Sequence, residues 1–139
     1  MSSTLSPELS ALQTKIDAGT AHIGIYGLGY VGLPLALRFA EVGLKVTGFD
    51  IDSAKVQQLN AGESYIERLQ PAVIQRAQSH GFEATTDFSL SKEVDAIIIC
   101  VPTPLNRYRE PDLSYIIATI ESALPHMRAG QLESLESTT

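Results

Sequence analysis

The stretch IGIYGLGYVGLPLA, residues 23–36, decides the fold. An apolar run breaks at Gly27, Gly29 and Gly32, then resumes with Leu33, Ala36, Leu37 and Ala40 at helical intervals. Ala21 to Tyr26 run apolar and end in a glycine, as a parallel strand buried on both faces does. A strand therefore turns directly into a helix. At such a turn Gly27 allows a tight reversal, Gly29 lets a pyrophosphate approach with no Cβ in the way, and Gly32 lets helix and strand pack closely. The helix start offers unpaired N–H groups and its positive dipole end to phosphates. Pro34 falls in the first helical turn, where lacking an N–H loses nothing.

A GxGxxG alone also occurs in plain loops, so the next segment carries weight. Leu44 to Asp50 forms a second strand ending in an acid 18 positions beyond Gly32. A dinucleotide fold places there the carboxylate that accepts from the adenosine ribose hydroxyls. Asp50 would repel a 2′-phosphate, which favours NAD over NADP, and Lys55 is the nearby residue that softens the preference. Asp50 could instead cap the following helix, a role open equally to Asp52 or Ser53.

The chain has 139 residues, enough for one domain with a real core. Its hydrophobic content of 44% and charged content of 19% are those of an ordinary globular protein. A net charge of −6, with scattered basic residues, gives no electrostatic reason to expect nucleic-acid or anionic-membrane binding. The single cysteine, Cys100, excludes an internal disulfide and a multi-cysteine metal site, which fits a reducing compartment. No apolar stretch approaches the roughly 18 residues that span a bilayer. No signal-peptide pattern opens the chain, so the expected location is the cytoplasm.

Upstream of the decisive stretch, Ser6-Pro7-Glu8 starts a helix that Gly19 ends, with Leu9, Leu12 and Ile16 as its apolar stripe. This leader, residues 1–19, packs on the domain edge or a partner subunit, or else is a loosely held tail. Downstream, Ser53 to Leu59 is a helix ended by Asn60-Ala61-Gly62, and Glu63 to Ile66 is a connector. Gln70 to His80 is a further helix, Phe82 to Thr85 a short third strand, and Asp87 with Ser89 caps one helical turn. Val94 to Val101 reads as a central strand buried on both faces and stopped by Pro102-Thr103-Pro104. Because ligands lie beyond the carboxyl ends of such strands, Thr103 is a candidate cofactor contact or an ordinary strand terminator. Arg107 and Arg109 are candidate phosphate partners or a solvated loop. Leu113, Ile116, Ile117, Ile120 and Leu124 mark one face of an amphipathic helix that closes near Pro125 or Arg128, and Gly130 to Glu136, then Ser137-Thr138-Thr139, make a last strand.

Glu133 and Ser134 interrupt that last strand, and no helix follows to cover the sheet. The expectation is a fragment of a longer protein. Its fold class is α/β, a Rossmann-like doubly wound parallel sheet truncated before its last elements. Residues 20–139 form the NAD-binding domain, incomplete at the C-terminus.

The segments GLGYVGLPLA, FDID, ICVPTPL, EPDLSYI and GQLESLESTT together resemble the N-terminal NAD-binding domain of the UDP-glucose/GDP-mannose dehydrogenase family. Within it, NRYREPDLSYI is most similar to the bacterial UDP-N-acetylglucosamine 6-dehydrogenases of polysaccharide synthesis. The resemblance implies oxidation of the C6 alcohol of a UDP-sugar to a carboxylate with two NAD. A cysteine, a lysine, an asparagine and an aspartate outside this domain would do the chemistry, so the chain alone is expected to be inactive and its parent a homo-oligomer. The resemblance places Gly27, Leu28, Gly29, Tyr30, Val31 and Gly32 at the pyrophosphate, Asp50 and Lys55 at the adenosine ribose, and Thr103 at the cofactor. Glu136-Ser137-Thr138 matches the family's E-S-T, where Thr138 reaches the cofactor and the catalytic water. Glu133 departs from the family's apolar residue.

Cys100, on a buried strand, is a small hydrophobe with a raised pKa rather than the nucleophile. His22, His80 and His126 lie too far apart in sequence to point to a metal site or a triad. The sequence leaves open a non-catalytic NAD-sensing module built on the same turn. A methyltransferase also has an acid after its second strand, but Ala36, the proline-flanked Thr103 and the missing methyl-transfer motif argue against it.

Overall fold

Three parallel strands carry the core, and each alternates its side chains between two buried faces. In the computed structural model, which describes residues 6–136, these are β1 (His22–Tyr26), β2 (Lys45–Phe49) and β4 (Ala96–Ile99). Ile23 and Ile25 of β1, Val46 of β2 and Ala96 of β4 enter one cluster, while Tyr26, Phe49, Ile97 and Ile99 enter another. Pairing puts Ile23 beside Val46 and Ala96, and Tyr26 beside Phe49 and Ile99, so like faces stay in register. With β3 (Glu83–Thr85) and β5 (Leu132–Leu135) the sheet order is β3-β2-β1-β4-β5, parallel throughout. The chain order reverses between β1 and β4, the switch point where doubly wound sheets hold ligands.

Helix α2 (Gly32–Glu41) packs on β1 and β2, α3 (Ser53–Asn60) on β3, and α4 (Pro71–Ser79) against α2. Leu33, Ala36, Leu37 and Ala40, spaced at helical intervals, are the buried face of α2. Fully burying side chains of the leucine and valine size stabilises by about 1.5–3 kcal/mol each. The opposite face is built differently. The Tyr26 and Phe49 rings stack with centroids 4.3 Å apart, and Phe88, from the 3₁₀ segment Phe88–Glu93, tilts against both. The buried Tyr26 hydroxyl donates to Ser91 Oγ at 2.7 Å. Helix α5 (Ser114–Ala123) closes this side, with Thr119 and Ala123 buried and Ile117 exposed.

The leader helix α1 (Pro7–Ala18) forms as its caps dictate: the Ser6 side chain accepts from the Leu9 N–H, and Gly19 closes it in the left-handed conformation. It is tied to the sheet rather than loose. Lys15 Nζ reaches the buried Asp95 carboxylate at 2.9 Å, which also accepts from the His22 N–H at 2.8 Å and from Arg128 at 3.0 Å. Burial by itself would raise the Asp95 pKa; the His22 N–H, Lys15 and Arg128 outweigh it and hold the carboxyl below its ordinary range.

The structure refines three expectations. Regular β4 is shorter than Val94 to Val101, although Val94, Asp95, Cys100 and Val101 are buried too. The helical turn after β3 is a 3₁₀ segment, capped by Asp87 through the Ser89 N–H. Strand β5 pairs with β4 among the described residues, and Glu133, beside Ile97 in register, is exposed there. No helix among the described residues is long and apolar enough to cross a membrane.

Candidate cofactor site at the glycine turn

The carboxyl ends of β1, β2 and β4 surround a cleft of about 780 Å³. One wall is the turn from Gly27 to Val31. Gly27 has φ +100°, its N–H donates to the Phe49 carbonyl at 2.8 Å, and a Cβ there would meet Val101 at 2.9 Å. Gly32 is more constrained, since a Cβ would lie 1.7 Å from the Gly27 carbonyl oxygen. Gly29 is the opposite case: a Cβ would meet nothing within 4 Å, so the missing side chain leaves open space in the cleft. The N–H groups of Gly29, Tyr30 and Val31 have no acceptor among the described residues, and α2 begins directly after them.

Leu28 borders the cleft with its polar atoms committed inward. Its side chain is fully buried, its N–H donates to Asp50 Oδ2 at 2.9 Å, and its carbonyl accepts from the Tyr65 hydroxyl. Asp50 is half-buried and accepts a second bond, from the Asp52 N–H to Oδ1 at 2.9 Å. Each oxygen retains a lone pair for a further donor. Asp50 does not cap α3. Asp52 does so, accepting from the Ala54 and Lys55 N–H groups. Lys55 reaches the cleft with its ammonium 5.7 Å from the centre of the Tyr65 ring.

The third wall is the end of β4, where Thr103 stands half-buried between the exposed Pro102 and Pro104. Cys100 is buried there, and burial first, the Glu136 carboxylate second, push its thiol pKa up. The Glu136 N–H donates to the Ile99 carbonyl, which carries the chain to the cleft rim; Ser137 and Thr138 lie outside the described residues. Arg107 and Arg109 are not brought to the cleft. They sit on an exposed loop closed by the Leu105–Pro111 bridge, with Arg107 over the Tyr108 ring and Arg109 at φ 60°. The histidines are likewise apart from it, His22 against Thr47 and His80 against the Ala40 carbonyl.

Three further groups line or support the cleft without having been singled out in the sequence: Tyr65, Tyr115 and Thr119. Tyr115 and Thr119 are one helical turn apart on α5, so their common face was recoverable from spacing. Tyr65 lies in an irregular connector and carried no such signal.

A profile of the UDP-glucose/GDP-mannose dehydrogenase family, NAD binding domain, matches residues 21–139. The UDP-N-acetyl-D-mannosamine dehydrogenase of Salmonella typhi is 39% identical over 120 residues, covering 84% of this chain and 28% of its own length. The crystal structure of the NDP-N-acetyl-D-galactosaminuronic acid dehydrogenase of Methanosarcina mazei superposes with a TM-score of 0.79 at 33% identity, covering 98% of this chain and 31% of that one. A ternary complex of the Pseudomonas aeruginosa GDP-mannose dehydrogenase gives 0.78 at 32% identity, over 84% and 28% of the respective chains. The chain thus spans under a third of the length of each of these three relatives.

Proposed function

Because this chain belongs to the UDP-glucose/GDP-mannose dehydrogenase family, we propose that its NAD-binding fold serves a nucleotide-sugar 6-dehydrogenase, which oxidises a C6 alcohol to the carboxylate with two NAD. The observation that carries this reading is the open cradle at Gly29, flanked by the uncommitted N–H groups of Gly29, Tyr30 and Val31. Their direction of positive charge suits a pyrophosphate. Asp50 would take the adenosine ribose hydroxyls on its remaining lone pairs, with Lys55 beside it, and Thr103 would meet the nicotinamide half across the cleft. Gly27 and Gly32 act indirectly, by making the turn possible. Thr138 keeps its proposed place near the cofactor.

NAD, when bound, supplies the hydride acceptor. This chain's own residues bind and orient it, and the buried Phe49 ring, stacked on Tyr26, lines the cleft. The nucleophile and the sugar site belong to the rest of the parent, so the 139 residues alone form no NADH from a UDP-sugar.

Relatives are named for N-acetylmannosamine and N-acetylgalactosaminuronic acid, which supports a UDP-linked 2-acetamido sugar as substrate. The NRYREPDLSYI likeness favours UDP-N-acetylglucosamine among them. Calorimetric titration with NAD and NADP tests the cofactor assignment. NAD is expected to bind more tightly, through Asp50; tighter NADP binding would show Lys55 outweighing the carboxylate. Comparing the parent's kcat/KM for the gluco, manno and galacto UDP-acetamido sugars tests the substrate, and a preference for manno or galacto would overturn the gluco assignment.

A further inference from the structure

We propose that Tyr65 is a positioning residue for the phosphate-binding turn: by donating its hydroxyl to the Leu28 carbonyl, it aims the Gly29 N–H into the cleft. The inference rests on the cofactor reading above and adds a residue to it. The reason is the geometry of one peptide plane. Across a trans peptide the C=O of one residue and the N–H of the next point in opposite directions, and no cis bond occurs among the described residues. Fixing the Leu28 carbonyl therefore fixes the Gly29 N–H, which has no acceptor among the described residues and borders the open space left by the missing Gly29 side chain. The other side of Leu28 is pinned as well, its N–H by Asp50 and its side chain against Gly48, where an added Cβ would come within 2.7 Å of Leu28 Cδ2. With Leu28 held at three points, the plane that carries the Gly29 N–H has no freedom to rotate. A flexible Gly-Leu-Gly turn would otherwise lose that freedom only on binding.

Tyr65 is itself held for the task. The neighbouring Ile66 is buried in the core, the Ser64 hydroxyl and the Ile66 backbone bond to each other, and the Gln58 side chain donates to the Ser64 carbonyl. The Lys55 ammonium lies over the ring. Burial first, then the carboxylates of Asp50 and Asp52, push the phenol pKa up, so the hydroxyl remains a donor at neutral pH.

The test uses the whole 139-residue chain and its Tyr65→Phe variant, which keeps the ring and the Lys55 contact and loses the donor. Affinities for NAD, ADP and adenosine are read by titration, together with the Gly29 amide resonance in the ligand-free protein. Loss of one oriented hydrogen bond is expected to weaken NAD and ADP about tenfold. Adenosine, which has no phosphate, should change less than about twofold, and the Gly29 amide should shift before any ligand is added. Unchanged NAD affinity in Tyr65→Phe with normal binding by the unaltered chain overturns the Tyr65 inference and leaves the cofactor reading standing. Equal weakening of adenosine, or loss of folding in Tyr65→Phe, assigns the tyrosine a general structural role and overturns it too. Failure of the unaltered chain to bind NAD overturns both.

Discussion

The two faces of the sheet are held by different physics. On the face covered by α2, α3 and α4, aliphatic packing dominates: Ile23, Ile25, Val46, Ala36 and Ala40 pack together, glycines let backbone and side chain approach, and hydrogen bonds such as those between Asn60 and the Ala84 backbone fasten the surrounding helices and loops. On the other face, orientation does more of the work. A stacked aromatic pair, a third tilted ring, and hydrogen bonds from Tyr26 and Gln131 to Ser91 hold the 3₁₀ segment Phe88–Glu93 in place, and Asp95 pins the start of β1 through the His22 N–H. An aliphatic face loses stability through a cavity when volume is removed and through strain when volume is added, whereas a polar face also fails when a hydrogen-bond partner is removed. The cleft lies at the ends of the strands that separate them.

The sharpest way to break the aliphatic side is Gly32→Ala. Its methyl would strike the Gly27 carbonyl, a backbone atom that cannot yield, so a loss of at least about 4 kcal/mol is expected, read as absence of a cooperative melting transition. Asp95→Asn attacks the directional side at its base. A loss of about 2 kcal/mol is expected, less than for a fully buried pair because Lys15 and Arg128 stay 47% and 39% exposed. This residue also predicts a pH dependence. Its folded pKa is depressed, so its stabilisation is complete above the unfolded carboxylate value near ~4 and lost as pH falls through the lower folded value. Thermal melts between neutral pH and about 3 should show a steeper acid loss in the parent chain than in Asp95→Asn; parallel curves would remove Asp95 from the account.

Smaller effects sharpen the contrast. Tyr26→Phe keeps the ring stack and deletes only the bond to Ser91, which predicts about 1 kcal/mol of destabilisation in urea titration. Gly29→Ala lies on neither face. With open space around it, stability should change by less than about 0.5 kcal/mol, while NAD affinity should fall more than about tenfold as the methyl fills the cradle. If Gly29→Ala binds NAD normally, the turn does not hold the pyrophosphate where proposed.

Legibility followed the range of each interaction. Gly27, Gly29 and Gly32 were readable because strand, turn and helix are encoded within fifteen residues, and the structure separates their roles: a positive φ at Gly27, backbone contact at Gly32, open space at Gly29. Asp50 was readable because it ends a strand. Asp95 and Tyr65 left no pattern at all: Asp95 meets partners 80, 73 and 33 residues away, and Tyr65 meets Leu28 across 37.

By itself, then, the sequence determined the alternation of strands and helices, the glycine turn and the acid facing it, since backbone conformation and side-chain period are local properties of the chain. Tertiary structure alone decided the strand order, the buried anchor at Asp95 and the tyrosine behind the turn. Each of these depends on which distant surfaces pack together, and a single hydroxyl or carboxylate acquires its role only from the partner that packing brings to it.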